Sequence, residues 1–191
     1  MAPKATPRAS SKPVKDTGTK LVEAAAKEFR VHGFSGTDSN KIARRAGFAP
    51  QTFYRWFPDK TAIFLAVYRT WEEDEKDVLA DLHQRAAPVA ALVDAVIAHH
   101  RAYRIFRRSL RQLSLEDPAV RQARAESRLR QITRFAHWQG GSTMTQADIA
   151  TRIFEMERLC DAIAEDEFAD LGLDDKVARA ALAAIMSRLR G

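Results

Sequence analysis

The sequence has little cysteine and no long apolar run. Cys160 is the single cysteine among 191 residues, so no intramolecular disulfide can form and no cysteine pair is available for zinc or redox chemistry. No stretch reaches the roughly 18 consecutive apolar residues that a membrane-spanning helix needs. The first 20 residues are basic and polar, unlike a secretory signal. We therefore predict a cytoplasmic protein that makes no membrane contact.

The sequence also lacks the motifs of common catalytic sites. It has no Gly-x-Ser-x-Gly elbow, no glycine-rich phosphate loop and no His-Glu-x-x-His pair. His99 and His100 adjoin, but neighbouring residues on a helix point about 100 degrees apart, which is not a ligand spacing for metals. These absences predict a protein that is not an enzyme and that uses no metal and no cofactor.

Positive charge is concentrated in the N-terminal third. Residues 1–60 hold 12 Lys and Arg against 5 Asp and Glu, a net charge of +7, whereas residues 61–191 hold 19 against 20, a net charge of −1. This imbalance favours a polyanionic partner, because binding one releases counterions. Residues 1–15 combine prolines with Ser, Thr, Lys and Arg, a composition that cannot bury enough surface to fold. We expect a disordered basic arm there.

Apolar periodicity and turn residues predict helices along the rest of the chain. A first helix fits residues 16–32. Thr37 offers an N-cap hydroxyl to a second helix that ends at Gly47, and Pro50 can begin a third, since proline at the first helical position loses no hydrogen bond. Further helical segments fit residues of about 60–85, 88–114, 118–138, 145–169 and 174–189. With no strand alternation, the sequence predicts an all-α fold of about eight or nine helices.

The two short helices have the arrangement of a helix-turn-helix, in which the second member enters the major groove of DNA. Apolar side chains would pack its core, namely Ile42, Ala43, Ala46, Phe48, Phe53 and Phe57. Polar side chains would point outward as donors for phosphates and base edges, namely Asn40, Lys41, Arg44, Arg45, Gln51, Thr52 and Arg55. This segment is therefore predicted to bind double-stranded DNA.

The same segment resembles the DNA-binding signature of TetR-type (tetracycline-repressor-like) regulators. The resemblance rests on four motifs, which are Gly-Phe-x-x-Thr ending at Thr37, Ile-Ala-x-x-Ala-Gly ending at Gly47, Thr-Phe-Tyr-x-x-Phe ending at Phe57, and Asp59-Lys60. It extends over residues 19–64. It implies an N-terminal helix-turn-helix DNA-binding domain over residues 16–62 and a C-terminal bundle for effector binding and dimerisation over residues 63–191.

The resemblance also implies roles for the matched positions. Thr37 and Lys60, each at a helix N-terminus, would hold phosphates, and Tyr54 would place its hydroxyl on a phosphate. The residues expected to face bases or backbone are Gln51, Thr52 and Arg55.

Two neighbouring positions complete this expected surface. Pro50 begins the recognition helix, and Trp56 is expected to lie half exposed against the fourth helix or the phosphate backbone. The sequence departs from the family pattern at two positions. Ala49 stands where the family has a capping serine, and Ser39 stands where an apolar residue packs.

Two groups of C-terminal residues are further candidates. Aromatic residues with polar edges bind small molecules well, and those that could line an effector pocket are Trp71, His99, Tyr103, Phe106, Phe135 and Trp138. An apolar stripe on the last two long helices could form the subunit interface that the resemblance implies, and its members are Ile149, Ile153, Met156, Cys160, Ile163, Leu182 and Ile185. Core packing is the alternative for every member of both groups.

Together these observations predict a homodimeric transcriptional regulator. One short recognition helix contacts few base pairs, so two symmetry-related copies are needed to read a palindromic operator. The resemblance implies a repressor that a small-molecule effector releases from DNA. Two alternatives remain open at this point, namely a protein that coats DNA without sequence preference, and a helical enzyme or ligand carrier with a vestigial DNA-binding domain.

Overall fold

The computed structural model describes residues 16–139 and 144–191, and the predicted basic arm over residues 1–15 lies outside the described residues. The regular elements in these ranges are all helical, which confirms the predicted all-α fold. They are α1 (Thr17–His32), α2 (Ser39–Arg45), α3 (Pro50–Tyr54), α4 (Lys60–Gln84), α5 (Val89–Ala102), α6 (Arg104–Glu116), α7 (Pro118–Trp138), α8 (Gln146–Ala164), α9 (Glu167–Asp170) and α10 (Lys176–Arg190). Among the described residues, no helix combines the length and the apolar character needed to cross a membrane.

Helix α1 forms where the sequence predicts it. The Asp16 carboxylate caps the helix by accepting a hydrogen bond from the Thr19 amide at 2.7 Å. Leu21 and Phe29 lie on its buried face. The helix ends at Gly33, whose φ of +67° lies in the left-handed region that glycine adopts without strain.

Helices α2 and α3 form the predicted helix-turn-helix, but the first cap differs from the prediction. Asp38, not Thr37, is the N-cap of α2, and its carboxylate accepts a hydrogen bond from the Lys41 amide at 2.8 Å. Aspartate is at least as good a cap as threonine, and this one-residue shift leaves Thr37 buried. Gly47 adopts a φ of +82° in the turn to α3, and α3 has no side-chain cap, as its alanine N-cap Ala49 implies.

Two helices predicted from the sequence are each split in the structure. The segment predicted over residues 88–114 forms α5 and α6, because Tyr103 leaves the helical conformation with φ −118° and ψ 18°. The segment predicted over residues 145–169 forms α8 and the short α9, because Asp166 adopts a φ of +60°. Aspartate tolerates the left-handed region better than most residues. Neither break contains glycine or proline, so no residue marked it in the sequence.

Two clusters of buried side chains hold the helices together. The first contains side chains from all four helices α1, α2, α3 and α4, from α6 and from the start of α7. Within it, the ring centroids of Phe64 and Phe106 are 4.7 Å apart. The second joins the end of α4 to α5, α7, α8 and α10. The first cluster crosses the predicted domain boundary between residues 62 and 63, and α6 packs directly against α1, the helix that precedes the helix-turn-helix. The position of that boundary stays a prediction.

Candidate nucleic-acid interface

Most of the predicted DNA contacts lie on one continuous part of the surface formed by α2, α3 and the chain that follows α3. The exposed members are Asn40, Lys41, Arg44, Arg45, Gln51, Tyr54, Arg55 and Trp56, and the half-buried members are Pro50, Thr52 and Lys60. Among the described residues, Arg44 and Arg55 make no hydrogen bond or ion pair through their side chains. Both guanidinium groups are therefore available to an anionic partner.

Tyr54 and Ser39 connect α3 to α2 at this surface. Their hydroxyl oxygens are 2.8 Å apart, which is a hydrogen bond in which either group can donate. Tyr54 is 58% exposed, and its ring packs edge-on against the buried Phe53 at 5.2 Å between centroids. The hydroxyl of Ser39 thus has a partner at the position where the family pattern has an apolar side chain.

The Lys60 ammonium is less free than the sequence implied. It donates hydrogen bonds to the carbonyl oxygens of Phe34 at 2.9 Å and Thr37 at 3.0 Å, and it lies 4.0 Å from the centre of the Phe34 ring. Burial lowers the pKa of Lys60, and the nearby Asp38 carboxylate partly offsets this effect. In this structure Lys60 therefore stabilises the loop between α1 and α2. Lys41 acts similarly, because its ammonium donates to the Gly36 carbonyl at 3.0 Å.

The predicted phosphate contact of Thr37 is not supported by its position. Thr37 is only 3% exposed, and its hydroxyl has no hydrogen-bond partner in the part of the chain that the structure describes. The cause is the cap at Asp38, which starts α2 one residue later than predicted. A buried hydroxyl cannot reach a phosphate without a local rearrangement.

Arg45 is held by a residue that the sequence analysis missed. Its guanidinium Nε donates to the carboxylate of Glu28 in α1, and this carboxylate is buried. Glu28 lies seven residues after Leu21 on the buried face of α1, so an acidic residue at core spacing was the signal that could have indicated it. The pair connects α2 to α1 and leaves Arg45 half exposed.

Trp56 is half exposed as predicted, and its indole lies against the start of α1. A Cβ atom built on Gly18 would lie 2.7 Å from Cε3 of Trp56, so the indole sits directly on the glycine. Only glycine allows this approach, since real Cβ atoms do not come so close to another heavy atom. Trp56 thereby fixes the start of α1 against the end of α3.

Comparison with known sequences gives a match for the region that contains this surface. Residues 21–67 match the model of the family described as bacterial regulatory proteins, tetR family. A stretch of 66 residues is 35% identical to an uncharacterized HTH-type transcriptional regulator, YdgC of Bacillus subtilis (strain 168). That match spans 35% of this chain and only 28% of the Bacillus protein.

Solved structures share the fold over nearly the whole chain. The fatty acid degradation regulator FadR from Bacillus halodurans has a TM-score of 0.62 at 17% identity, with 94% of this chain and 97% of FadR covered. Two proteins assigned to the TetR family, from Rhodococcus sp. and Mesorhizobium loti, have TM-scores of 0.69 and 0.66 at 14% and 18% identity. They cover 92% and 91% of this chain, and 98% and 94% of their own. Residues 21–67 thus match the tetR family, and the chain as a whole shares the fold of these solved structures.

The predicted effector-pocket residues do not form one site. Trp71, His99, Tyr103 and Phe106 pack together, with Trp71 stacked on His99 at 5.0 Å and His99 against Tyr103 at 5.1 Å. Phe135 and Trp138 lie elsewhere, because Phe135 belongs to the second core cluster and Trp138 stacks on His83 at 4.2 Å. Phe106 and Phe135 are fully buried members of different clusters, so both are core residues here.

Six of the seven predicted dimer-interface residues are core residues in this structure. Ile149, Ile153, Met156, Cys160, Ile163 and Leu182 are each at most 5% exposed, and Ile185 is half buried. They face α5, α7 and each other within one protomer, because the helical stripe points inward and not towards a partner. The six buried side chains are thus covered within the protomer and leave no surface for a partner, whereas the interface role of Ile185 stays a prediction. Burial also raises the pKa of the Cys160 thiol, which disfavours the thiolate that reactive cysteines need.

A buried network of charged residues is the main feature that the sequence analysis missed. Asp161 of α8 accepts hydrogen bonds from Arg107 Nε at 2.7 Å and from Arg111 Nη1 at 2.5 Å, both on α6. His100 Nδ1 of α5 lies 3.0 Å from the same carboxylate, and its Nε2 lies 3.6 Å from Glu75 of α4. These contacts tie four helices together. Their residues lie up to 86 positions apart along the chain (75 to 161), so no local pattern could reveal them.

Proposed function

We propose that this chain is a homodimeric transcriptional regulator that binds a palindromic operator in duplex DNA and is released by a small-molecule effector. The observation that carries the proposal is the exposed face of α3, which presents Gln51, Tyr54 and Arg55 on a helix-turn-helix packed around buried Phe53 and Ile42. A short helix with exposed amide, hydroxyl and guanidinium donors suits contacts to base edges and phosphates in the major groove.

The contacts of α6 support regulation by an effector. On one side of the helix, Ser109 Oγ accepts a hydrogen bond from the Phe34 amide at 2.9 Å, and Phe106 packs on Phe64 in the first core cluster. On the other side, Arg107 and Arg111 bind the α8 carboxylate described above. A ligand that favours a different position of α6 would move the helix-turn-helix with it, and would weaken operator binding through its unequal affinity for the two states.

The exposed sides of α8 and α10 support dimerisation through these helices, although not through the residues first predicted. The two helices pack on each other through their buried sides. Their exposed sides carry apolar and small residues, namely Ala147, Thr151 and Phe154 on α8, and Val177, Ala181 and Ala184 on α10. Small side chains let helices of two protomers approach closely, and Val177 is 81% exposed in the isolated protomer.

A pair of matched variants tests this interface. Val177→Asp should give a folded monomer in light scattering, because it adds charge only where a partner would pack. Ile153→Asp should unfold the protein, because its side chain is 1% exposed within the protomer. A dimer of unchanged mass in Val177→Asp would reject α10 as part of the interface.

A duplex selection tests the function itself. The wild-type protein and the triple variant Gln51→Ala, Thr52→Ala, Arg55→Ala are each incubated with a random duplex library. The control is Arg85→Ala, which removes an exposed arginine just beyond the far end of α4. We expect the wild type and the control to select the same palindrome and the triple variant to select none.

Other outcomes of the selection point to different functions. If the protein binds duplexes without sequence preference, and the triple variant binds them equally well, the chain is better described as a DNA-coating protein. The affinity of such a protein for DNA should fall steeply as the salt concentration rises. No duplex binding with or without added small molecules would reject DNA recognition, and would favour an enzyme or ligand carrier with a vestigial domain.

A further inference from the structure

The hydroxyl pair of Ser39 and Tyr54 has a chemical property that neither group has alone. In a hydrogen bond between two hydroxyls, one group donates and the other keeps its own proton for a third partner. When Ser39 donates to the phenol oxygen, the Tyr54 O–H stays free to donate to an acceptor outside the protein. The bond from Ser39 also polarises the phenol, which strengthens that second hydrogen bond.

The pair also fixes where the Tyr54 hydroxyl lies. The ring is 58% exposed, and its packed edge rests on Phe53. Its far end is held by Ser39 at 2.8 Å, although the two residues lie 15 positions apart. A side chain held at both ends loses less rotational freedom when it binds a ligand than one held only at its base.

The charges around the pair suit an anionic acceptor. Arg44 on α2 and Arg55, directly after α3, are exposed, and neither makes a side-chain hydrogen bond or ion pair with the described residues. Asp38 is the adjacent acidic group, and its carboxylate is occupied by the Lys41 amide at 2.8 Å. That hydrogen bond is the largest of the effects that lower the pKa of Asp38. The two helices that carry the hydroxyl pair thus also present exposed positive charge, and the neighbouring carboxylate is held by a backbone amide.

We propose that Ser39 is a positioning residue that orients the Tyr54 hydroxyl to donate to one backbone phosphate of the operator. This inference rests on the proposed function, and it deepens it by naming how one phosphate is recognised. It also explains why a serine serves at a position where the family pattern has an apolar residue. Ser39 acts through Tyr54, and the phosphate oxygen accepts the phenolic proton.

The test combines two variants with operators that lack one phosphate charge at a time. Ser39→Ala, Tyr54→Phe and the double variant are compared with wild type on the selected operator, with neutral methylphosphonate at each backbone position in turn. Each single variant should bind about three- to tenfold more weakly, as expected for loss of one hydrogen bond. The double variant should bind no more weakly than Tyr54→Phe alone, since both changes remove the same contact.

The phosphate scan separates positioning from a general structural role. In wild type, one methylphosphonate position should weaken binding, and this penalty should vanish at that same position in both single variants. Ser39→Thr keeps a hydroxyl and should restore wild-type affinity. Thr133→Ala is the control, because it removes an exposed hydroxyl on α7 that donates only to the Leu129 carbonyl at 3.0 Å. It should change nothing.

Three results would overturn the inference while leaving the proposed function intact. The first is that Ser39→Ala binds the operator with wild-type affinity. The second is that the loss of affinity in the double variant equals the product of the two single losses. The third is that Ser39→Ala shows the same methylphosphonate penalty as wild type at every position of the scan. A wild-type protein that selects no operator overturns the proposed function, and the inference falls with it.

Discussion

Replacing Asp161 with asparagine should be among the most damaging single changes in the C-terminal region. The carboxylate is 4% exposed and accepts hydrogen bonds from Arg107 Nε at 2.7 Å and Nη2 at 3.3 Å and from Arg111 Nη1 at 2.5 Å. Arg107 is also buried, so Asp161→Asn leaves its guanidinium inside the protein without the carboxylate that pairs with it. The side-chain volume hardly changes, and the effect therefore isolates the charge.

The expected loss is large compared with the usual effect of a point mutation. Removing one partner of a buried ion pair costs about 3–5 kcal/mol, because the remaining charge stays desolvated. If the free energy of unfolding decreases by about 2 kcal/mol for each molar of urea, the urea concentration at the unfolding midpoint should fall by roughly 2 M. Urea titration followed by circular dichroism measures this shift. Protein concentration is held constant, because dimerisation contributes to the apparent stability.

A matched variant and a clear failure condition accompany this prediction. Asp166→Asn changes an exposed aspartate five residues away, whose contact with Arg101 at 3.4 Å lies at the surface. The free energy of unfolding of this variant should differ from that of the wild type by no more than about 0.5 kcal/mol. If Asp161→Asn lost no more stability than Asp166→Asn, the buried network could not be what holds α6 to α8, and the reasoning would be wrong.

Three further predictions follow from single contacts or groups. Ser109→Ala removes the acceptor of the Phe34 amide, so hydrogen exchange at that amide should accelerate by roughly fivefold for a bond of about 1 kcal/mol; unchanged exchange would show that the bond is not formed in solution. Gly47→Ala should cost about 1–2 kcal/mol in urea, because its φ of +82° disfavours a Cβ although that Cβ would touch nothing within 4 Å. Burial opposes ionisation of Asp161, but hydrogen bonds and charge from His100 and Arg107 outweigh it and lower the pKa of Asp161. The stability contributed by this carboxylate is then present at neutral pH and lost as the pH falls below about 3.9; the difference in urea midpoint between wild type and Asp161→Asn should shrink in acid.

The parts of the fold that could be predicted are those set by local sequence. The start of α1 at Asp16, the turn at Gly47 and the start of α3 at Pro50 each depend on one residue whose backbone or capping chemistry is specific. The cap of α2 shows the limit of such reasoning. Thr37 and Asp38 are both good cap residues, and the choice of Asp38 depends on how the loop packs on α1 and α4.

The parts that could not be predicted depend on contacts between distant segments. An apolar stripe such as that of Ile153 and Met156 marks a buried face, but it does not tell whether the same protomer or a partner covers it. In the same way, a row of arginines on α6 is typical of a solvated face, whereas Arg107 is buried because Asp161 lies opposite it. The spacing along one helix contains no information about the charge on another.

The arrangement of α6 argues that stability and operator binding are separable in this molecule. On one side of α6, Arg107 donates a hydrogen bond to Asp161 of α8. On the other side, Ser109 of α6 accepts a hydrogen bond from the Phe34 amide in the loop before α2. A change at Asp161 acts on the whole bundle, and it reaches the DNA-binding surface only by moving α6. A change at Ser109 acts on the helix-turn-helix and leaves the buried network intact. Because the two contacts lie on opposite sides of one helix, the proposed function requires an effector that shifts α6 to act on both of them.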